Sequence, residues 1–128
     1  PEEIRLLLTE YSEELKNTER WTTDPDEAIE ELQNQWLELF ADSSGQFTLY
    51  QPKGCNSCNN TGYRGRVGLH ELLIGTDALK KNIQEHARVA EMFATALNEG
   101  MRTLKQDGME KVLLGLTDMH QVRAVCIK

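Results

Sequence analysis

The 128-residue chain has little of most things that would declare a function. It lacks an apolar run near the ~18–20 residues needed to cross a membrane, which excludes a spanning segment. Three cysteines are too few, and odd in number, for a disulfide scaffold, so a reducing cytoplasm is the expected compartment. Basic side chains are scarce, 14 against 21 acidic ones for a net charge of −7, and this argues against a dedicated nucleic-acid binder. There is no Gly-x-x-x-x-Gly-Lys-Ser/Thr phosphate loop, no nucleophile elbow, no internal repeat and no low-complexity tract. What remains, 39% hydrophobic residues with nine glycines, is the composition of an ordinary globular domain. The first residue is Pro1 rather than Met, which predicts a piece of a longer protein.

Charge divides the chain. Residues 1–42 hold 13 acidic and three basic groups, a net −10, whereas residues 43–128 carry a net +3. Two regions are therefore expected: an acidic helical part, 1–45, and a second part, 46–128. In the first, Ile4, Leu7, Leu8, Tyr11 and Leu15 recur at helical spacing. A polar break, 16–23, follows, and Asp24-Pro25-Asp26-Glu27 then reads as an N-cap, a proline at the first helical position and a capping-box acid. Ile29, Leu32, Trp36 and Leu39 form the stripe of that second helix. The acids, including neighbours such as Glu30 and Glu31, point to different azimuths and read as a solvated surface rather than an acid/base pair.

The second region opens with a short alternating segment, 46–51, containing Phe47 and Leu49. A turn-rich stretch, 53–66, separates it from the apolar run 67–74, and the two apolar segments are expected to pair as a short β hairpin, the latter mostly buried. Beyond it, Thr76 is expected to cap a helix over 77–85. Val89, Met92, Phe93, Ala96 and Leu97 predict another that stops at Gly100, Thr103 with Gln106 a capping box for a third, and Thr117 a cap for the last, ending at Val125. The predicted class is mainly α with a small β element, a helical subdomain around a Cys-x-x-Cys knuckle. The four methionines and Trp36 are expected in the core.

Cys55-x-x-Cys58 is the sharpest motif. Two thiolates at this spacing grip one edge of a tetrahedral zinc ion, but four ligands are needed. Cys126 lies far off, and His70, His86 and His120 have no ligand spacing to one another. The pair is therefore half a zinc site, or a metal-free knuckle. A thioredoxin-like catalytic pair opens a helix, whereas this one sits in an Asn/Gly-rich turn. Arg64 and Arg66 beside Tyr63 suggest RNA contact as one reading, and arginines paired with nearby acids as the plainer one. A free-standing zinc-binding adaptor for a partner protein is a further alternative.

The block 54–73, Gly-Cys-Asn-Ser-Cys-Asn-Asn-Thr-Gly-Tyr-Arg-Gly-Arg-Val-Gly-Leu-His-Glu-Leu-Leu, resembles the C-terminal signature of type II secretion and type IV pilus extension ATPases, the GspE/PulE/PilB family. Its motif residues here are Gly54, Cys55, Cys58, Thr61, Gly62, Tyr63, Gly65, Arg66, Gly68 and Glu71. A second block, with Gly100, Met101, Leu104, Asp107, Gly108, Lys111, Gly115 and Thr117, is similar to that family's closing segment. The resemblance covers about residues 46–128. It implies a hexameric cytoplasmic ATPase, peripheral to the inner membrane, that works with platform proteins of a secretion or pilus machine. Its ATP and magnesium motifs would lie upstream of Pro1, with no catalytic residue in these 128 positions and no nucleic-acid partner. It also implies that Cys55 and Cys58 are the second pair of a four-cysteine zinc site, whose first pair is absent here and is expected just before Pro1. If residues 5–10 filled the first-pair segment, Leu7 and Glu10 would stand where cysteines belong. A second departure is Gln121, where the family often has Glu.

Overall fold

A computed structural model describes residues 1–126. Among the described residues seven α-helices follow one another: α1 Glu2–Glu13, α2 Glu19–Thr23, α3 Pro25–Phe40, α4 Asp77–Gln84, α5 Val89–Asn98, α6 Leu104–Leu113 and α7 Met119–Val125, with a 3₁₀ turn at Asn56–Cys58. The caps explain the starts. Asp24 accepts the Glu27 N–H at 3.1 Å with Pro25 at the first position of α3. Thr76 accepts from Leu79 at 3.2 Å, and Thr103 and Gln106 form the expected reciprocal capping box. α7 is capped by Asp118, one residue beyond the expected Thr117, because the carboxylate accepts the Gln121 N–H at 3.0 Å. The polar break contains the short α2. It is held by the Glu19 N–H donating to Asn98 Oδ1 at 2.8 Å and by Arg20 bridging Glu27 and Glu31 of α3.

One apolar core joins the two ends of the chain. Leu7, Leu8, Tyr11 and Leu15 from the first turns meet Leu32 and Trp36 of α3, Leu97 of α5, Met109, Val112 and Leu113 of α6, and Val122 of α7. Tyr11 and Trp36 pack edge-to-face at 5.3 Å, as do Trp36 and Phe40 at 6.5 Å. Trp36 and Met109 are buried as expected, while Met92, Met101 and Met119 are only partly covered. α6 approaches α7 closely enough that a Cβ on Gly108 would lie 2.6 Å from Val122 Cγ1 and 3.3 Å from Leu69 Cδ1. Replacing Gly108 by Ala should therefore cost about 1–3 kcal/mol through overpacking, read as a lower urea midpoint. A change within a few tenths of a kcal/mol would show that α6 and α7 do not meet this closely.

The expected β hairpin does not form: no strand occurs among the described residues. Segments 46–51 and 67–74 exchange no backbone hydrogen bonds. Phe47 and Leu49 lie instead on the helical core. Residues 67–74 are laid across the N-terminus of α6, where Asp107 Oδ2 accepts the His70 N–H at 2.8 Å and Glu71 Oε2 accepts the Leu104 N–H at 2.8 Å. The run is not buried either. Leu72, Leu73 and Ile74 are 71%, 55% and 66% exposed. A strand needs a ladder partner, and side-chain anchors fix this segment without providing one.

Candidate functional site: the two-thiol turn and its anchors

The knuckle is built by its backbone. Asn59 and Asn60 take left-handed conformations, φ 54° and 62°, which asparagine tolerates, and reverse the chain. The Asn60 N–H then donates to the Cys55 carbonyl at 2.9 Å and the Thr61 N–H to the Cys58 carbonyl at 3.2 Å. Thr61 Oγ1 reinforces the turn, donating to the Cys58 carbonyl at 2.7 Å and accepting the Tyr63 N–H at 3.2 Å. Gly62 is required on two counts: its φ is +82°, and a Cβ there would stand 2.5 Å from Pro52 Cβ.

The turn brings the two sulfurs to 3.4 Å. Cys58 Sγ accepts the N–H of Gly62 at 3.2 Å and of Cys55 at 3.3 Å. These donors, Gly62 first and then Cys55, favour the thiolate and pull the pKa of Cys58 down to about 7. Burial pushes the distant Cys126 thiol the other way. Two sulfurs bound to one zinc ion at about 2.3 Å stand roughly 3.8 Å apart, so this pair fits one edge of a tetrahedron. Among the described residues no group of three or more His, Cys, Asp or Glu side chains is placed to hold a metal. The pair is a half set of ligands with thiolate-stabilising donors behind it.

The other motif residues fall into two places. Tyr63 donates its hydroxyl to Asp118, so the knuckle is tied to the cap of α7. Glu71, Leu104 and Asp107 meet at the start of α6; Gly108 faces α7 in mid-helix, and Lys111 in the last turn reaches back to Asp107 Oδ1 at 3.5 Å. Gly100 and Gly115 end α5 and α6 with φ of +102° and +81°, and Gly54 packs against the Asn60 carbonyl. Gly65 is open and Gly68 packs under the His70 ring. Met101 and Thr117 are partly buried. Gln121 donates its N–H to Asp118 in this cap, and its side chain also meets the Tyr63 hydroxyl. Arg64 and Arg66 are exposed and make no ion pair among the described residues, which corrects the expectation that nearby acids hold them.

Sequence reasoning missed a clamp between α1 and the last two helices. The Tyr11 carbonyl, in the unpaired last turn of α1, accepts Gln106 Nε2 at 3.1 Å, and its hydroxyl donates to Glu110 at 2.9 Å. Burial, then the Glu110 carboxylate, raises the phenol, so Tyr11 stays a donor. One residue earlier, Glu10 pairs with Arg123 and with Lys105 at 3.5 Å. Burial opposes ionisation of Glu10, but Arg123 and then Lys105 outweigh it and hold its pKa below the ordinary glutamate value. A depressed carboxylate stabilises the fold above its unfolded value, and the contribution is lost as pH falls through the folded value. The stability advantage over Glu10→Gln in urea unfolding should thus be constant from pH 7 to 5 and shrink at pH 4 and 3. An advantage that grows on acidification would contradict the pairing.

The fold and turn define a helical unit carrying two thiols and an exposed apolar segment. Residues 19–124 match the family described as Type II/IV secretion system protein, and the chain belongs to that family. Among curated relatives it is 44% identical over 75 residues to the type II secretion system protein E of Dickeya dadantii, covering 59% of this chain and 15% of that one. It is 38% identical over 81 residues to the type IV pilus assembly ATPase PilB of Myxococcus xanthus, covering 63% and 14%. The Pseudomonas aeruginosa PilB is 39% identical over 84 residues, covering 66% and 15%. The chain therefore spans about one seventh of the length of these relatives. No solved structure matches it.

Proposed function

We propose that the chain is the C-terminal, non-catalytic subdomain of a hexameric ATPase that powers type II secretion or type IV pilus assembly. Residues 1–45 would be an acidic helical insertion and 46–128 the family-typical part. ATP and magnesium are assigned to the remainder of that ATPase, which works in the cytoplasm beside inner-membrane platform proteins. One observation carries the reading: residues 67–74 are largely apolar and exposed, yet pinned by Glu71 and Asp107 to α6. An apolar segment held rigidly at the surface is a docking element, and the occupant proposed is the remainder of the same ATPase or its neighbouring subunit. No helix among the described residues is long and apolar enough to cross a membrane, so attachment to the inner membrane would run through the complex.

Cys55 and Cys58 serve in this reading as one half of a zinc clip, its other two thiolates coming from residues outside this chain. When bound, the metal supplies no chemistry beyond closing a long excursion and so reducing the entropy of the unfolded chain. Two tests follow. Purified chain should leave ATP intact, and magnesium-dependent hydrolysis by it would overturn the non-catalytic assignment. Zinc should bind the chain alone only weakly. A tight one-to-one complex would favour a self-contained zinc adaptor.

A further inference from the structure

We propose that Cys55 and Cys58 are a reversible dithiol–disulfide site, oxidised by small-molecule disulfides such as oxidised glutathione. The proposal stands on the geometry of the turn and concerns the metal-free pair, since zinc held by the same two thiols would exclude the disulfide. The sulfurs are 3.4 Å apart and both reach the surface, so closing the bond to about 2.0 Å requires them to approach by only about 1.4 Å. The turn is closed by backbone bonds as well as by the bonds to the Cys58 sulfur. The backbone bonds run from Asn60 N–H to the Cys55 carbonyl and from Thr61 to the Cys58 carbonyl, and they survive oxidation. Cys126, the third cysteine, is packed at the edge of the core and remote in function from the pair.

The exchange balances without any further reagent. The sulfur of one cysteine attacks the small disulfide, and the first small thiol leaves with a proton. The second cysteine then attacks the mixed disulfide, forming the protein S–S bond and releasing the second small thiol with the other proton. The protein dithiol is oxidised and the small disulfide reduced. This is not thioredoxin-type catalysis, since no helix follows the pair to activate it. It is a modification with a local consequence. The Gly62 and Cys55 N–H groups lose a thiol acceptor, and Gly62 adjoins Tyr63, whose hydroxyl is tied to the cap of α7. Exposed disulfides of this kind are readily reduced again.

The test uses the whole chain, freed of metal by a chelator, in buffers of graded oxidised-to-reduced glutathione, acid-quenched, alkylated and weighed. Expected is the loss of two of the three thiols with a mass decrease of about 2 Da before alkylation, reversed by dithiothreitol. Cys126→Ser should still form the bond, whereas Cys55→Ser and Cys58→Ser should each stop at one glutathione adduct. Exchange of the Gly62 amide with deuterium should be faster in the oxidised wild-type chain. Three thiols persisting at every ratio, a stable glutathione adduct on wild type, or a covalent dimer would overturn the site. An unchanged Gly62 amide in the disulfide form would overturn its structural consequence.

Discussion

Replacing Trp36 by Ala should remove a large part of this chain's stability, about 3–5 kcal/mol, against the ~5–15 kcal/mol typical of a domain. The indole is 2% exposed and lies between the Tyr11 and Phe40 rings, with side chains of α6 and α7 in the same cluster. Its removal leaves a cavity that rigid helices on both sides cannot close. The edge-to-face contact with Tyr11 is lost as well. In urea the midpoint should fall by on the order of 2 M with one cooperative transition for all helices. If instead only the signal of α1 and α3 melted while α5, α6 and α7 stayed folded, the shared core would be disproved.

The second large effect is expected at Gln106, which is fully buried and uses both ends of its amide. Oε1 accepts the Thr103 N–H at 2.9 Å and Nε2 donates to the Tyr11 carbonyl at 3.1 Å. Gln106→Leu preserves volume but strands one buried donor and one buried acceptor, each costing about 1–3 kcal/mol. Thr103→Ala, by contrast, removes only a helix cap, about 1 kcal/mol. Urea unfolding of both variants should show the Gln106 substitution as at least twice as damaging. Equal losses would mean that Gln106 acts only within its own helix and that the bond to α1 adds nothing.

These two sites also mark what could be read from sequence. The helices bearing Leu7, Trp36, Leu97 and Met109 were legible because their apolar residues recur every three to four positions and because Asp24, Thr76 and Thr103 announce their starts. Gln106 was legible as a capping-box residue. Its bond to Tyr11, 95 positions away, was not, because no local pattern encodes a long-range partner. The run 67–74 misled in the opposite way. Apolarity declares that something should cover a segment, but not that the cover lies in the same stretch of chain. The knuckle was legible as a turn from Asn59, Asn60 and Gly62, whereas the side-chain anchors at Glu71 and Asp107, which replace the hairpin, were visible only as motif letters.

The central claim is that residues 67–74 dock on the remainder of a secretion or pilus ATPase. Deuterium exchange of their backbone amides, in this chain and in the full-length ATPase, tests it most directly. In the isolated chain the amides of Leu72, Leu73 and Ile74 should exchange at nearly the rate of an open peptide. In the full-length protein they should slow by on the order of 100-fold or more. Equal, fast exchange in both would contradict the docking role.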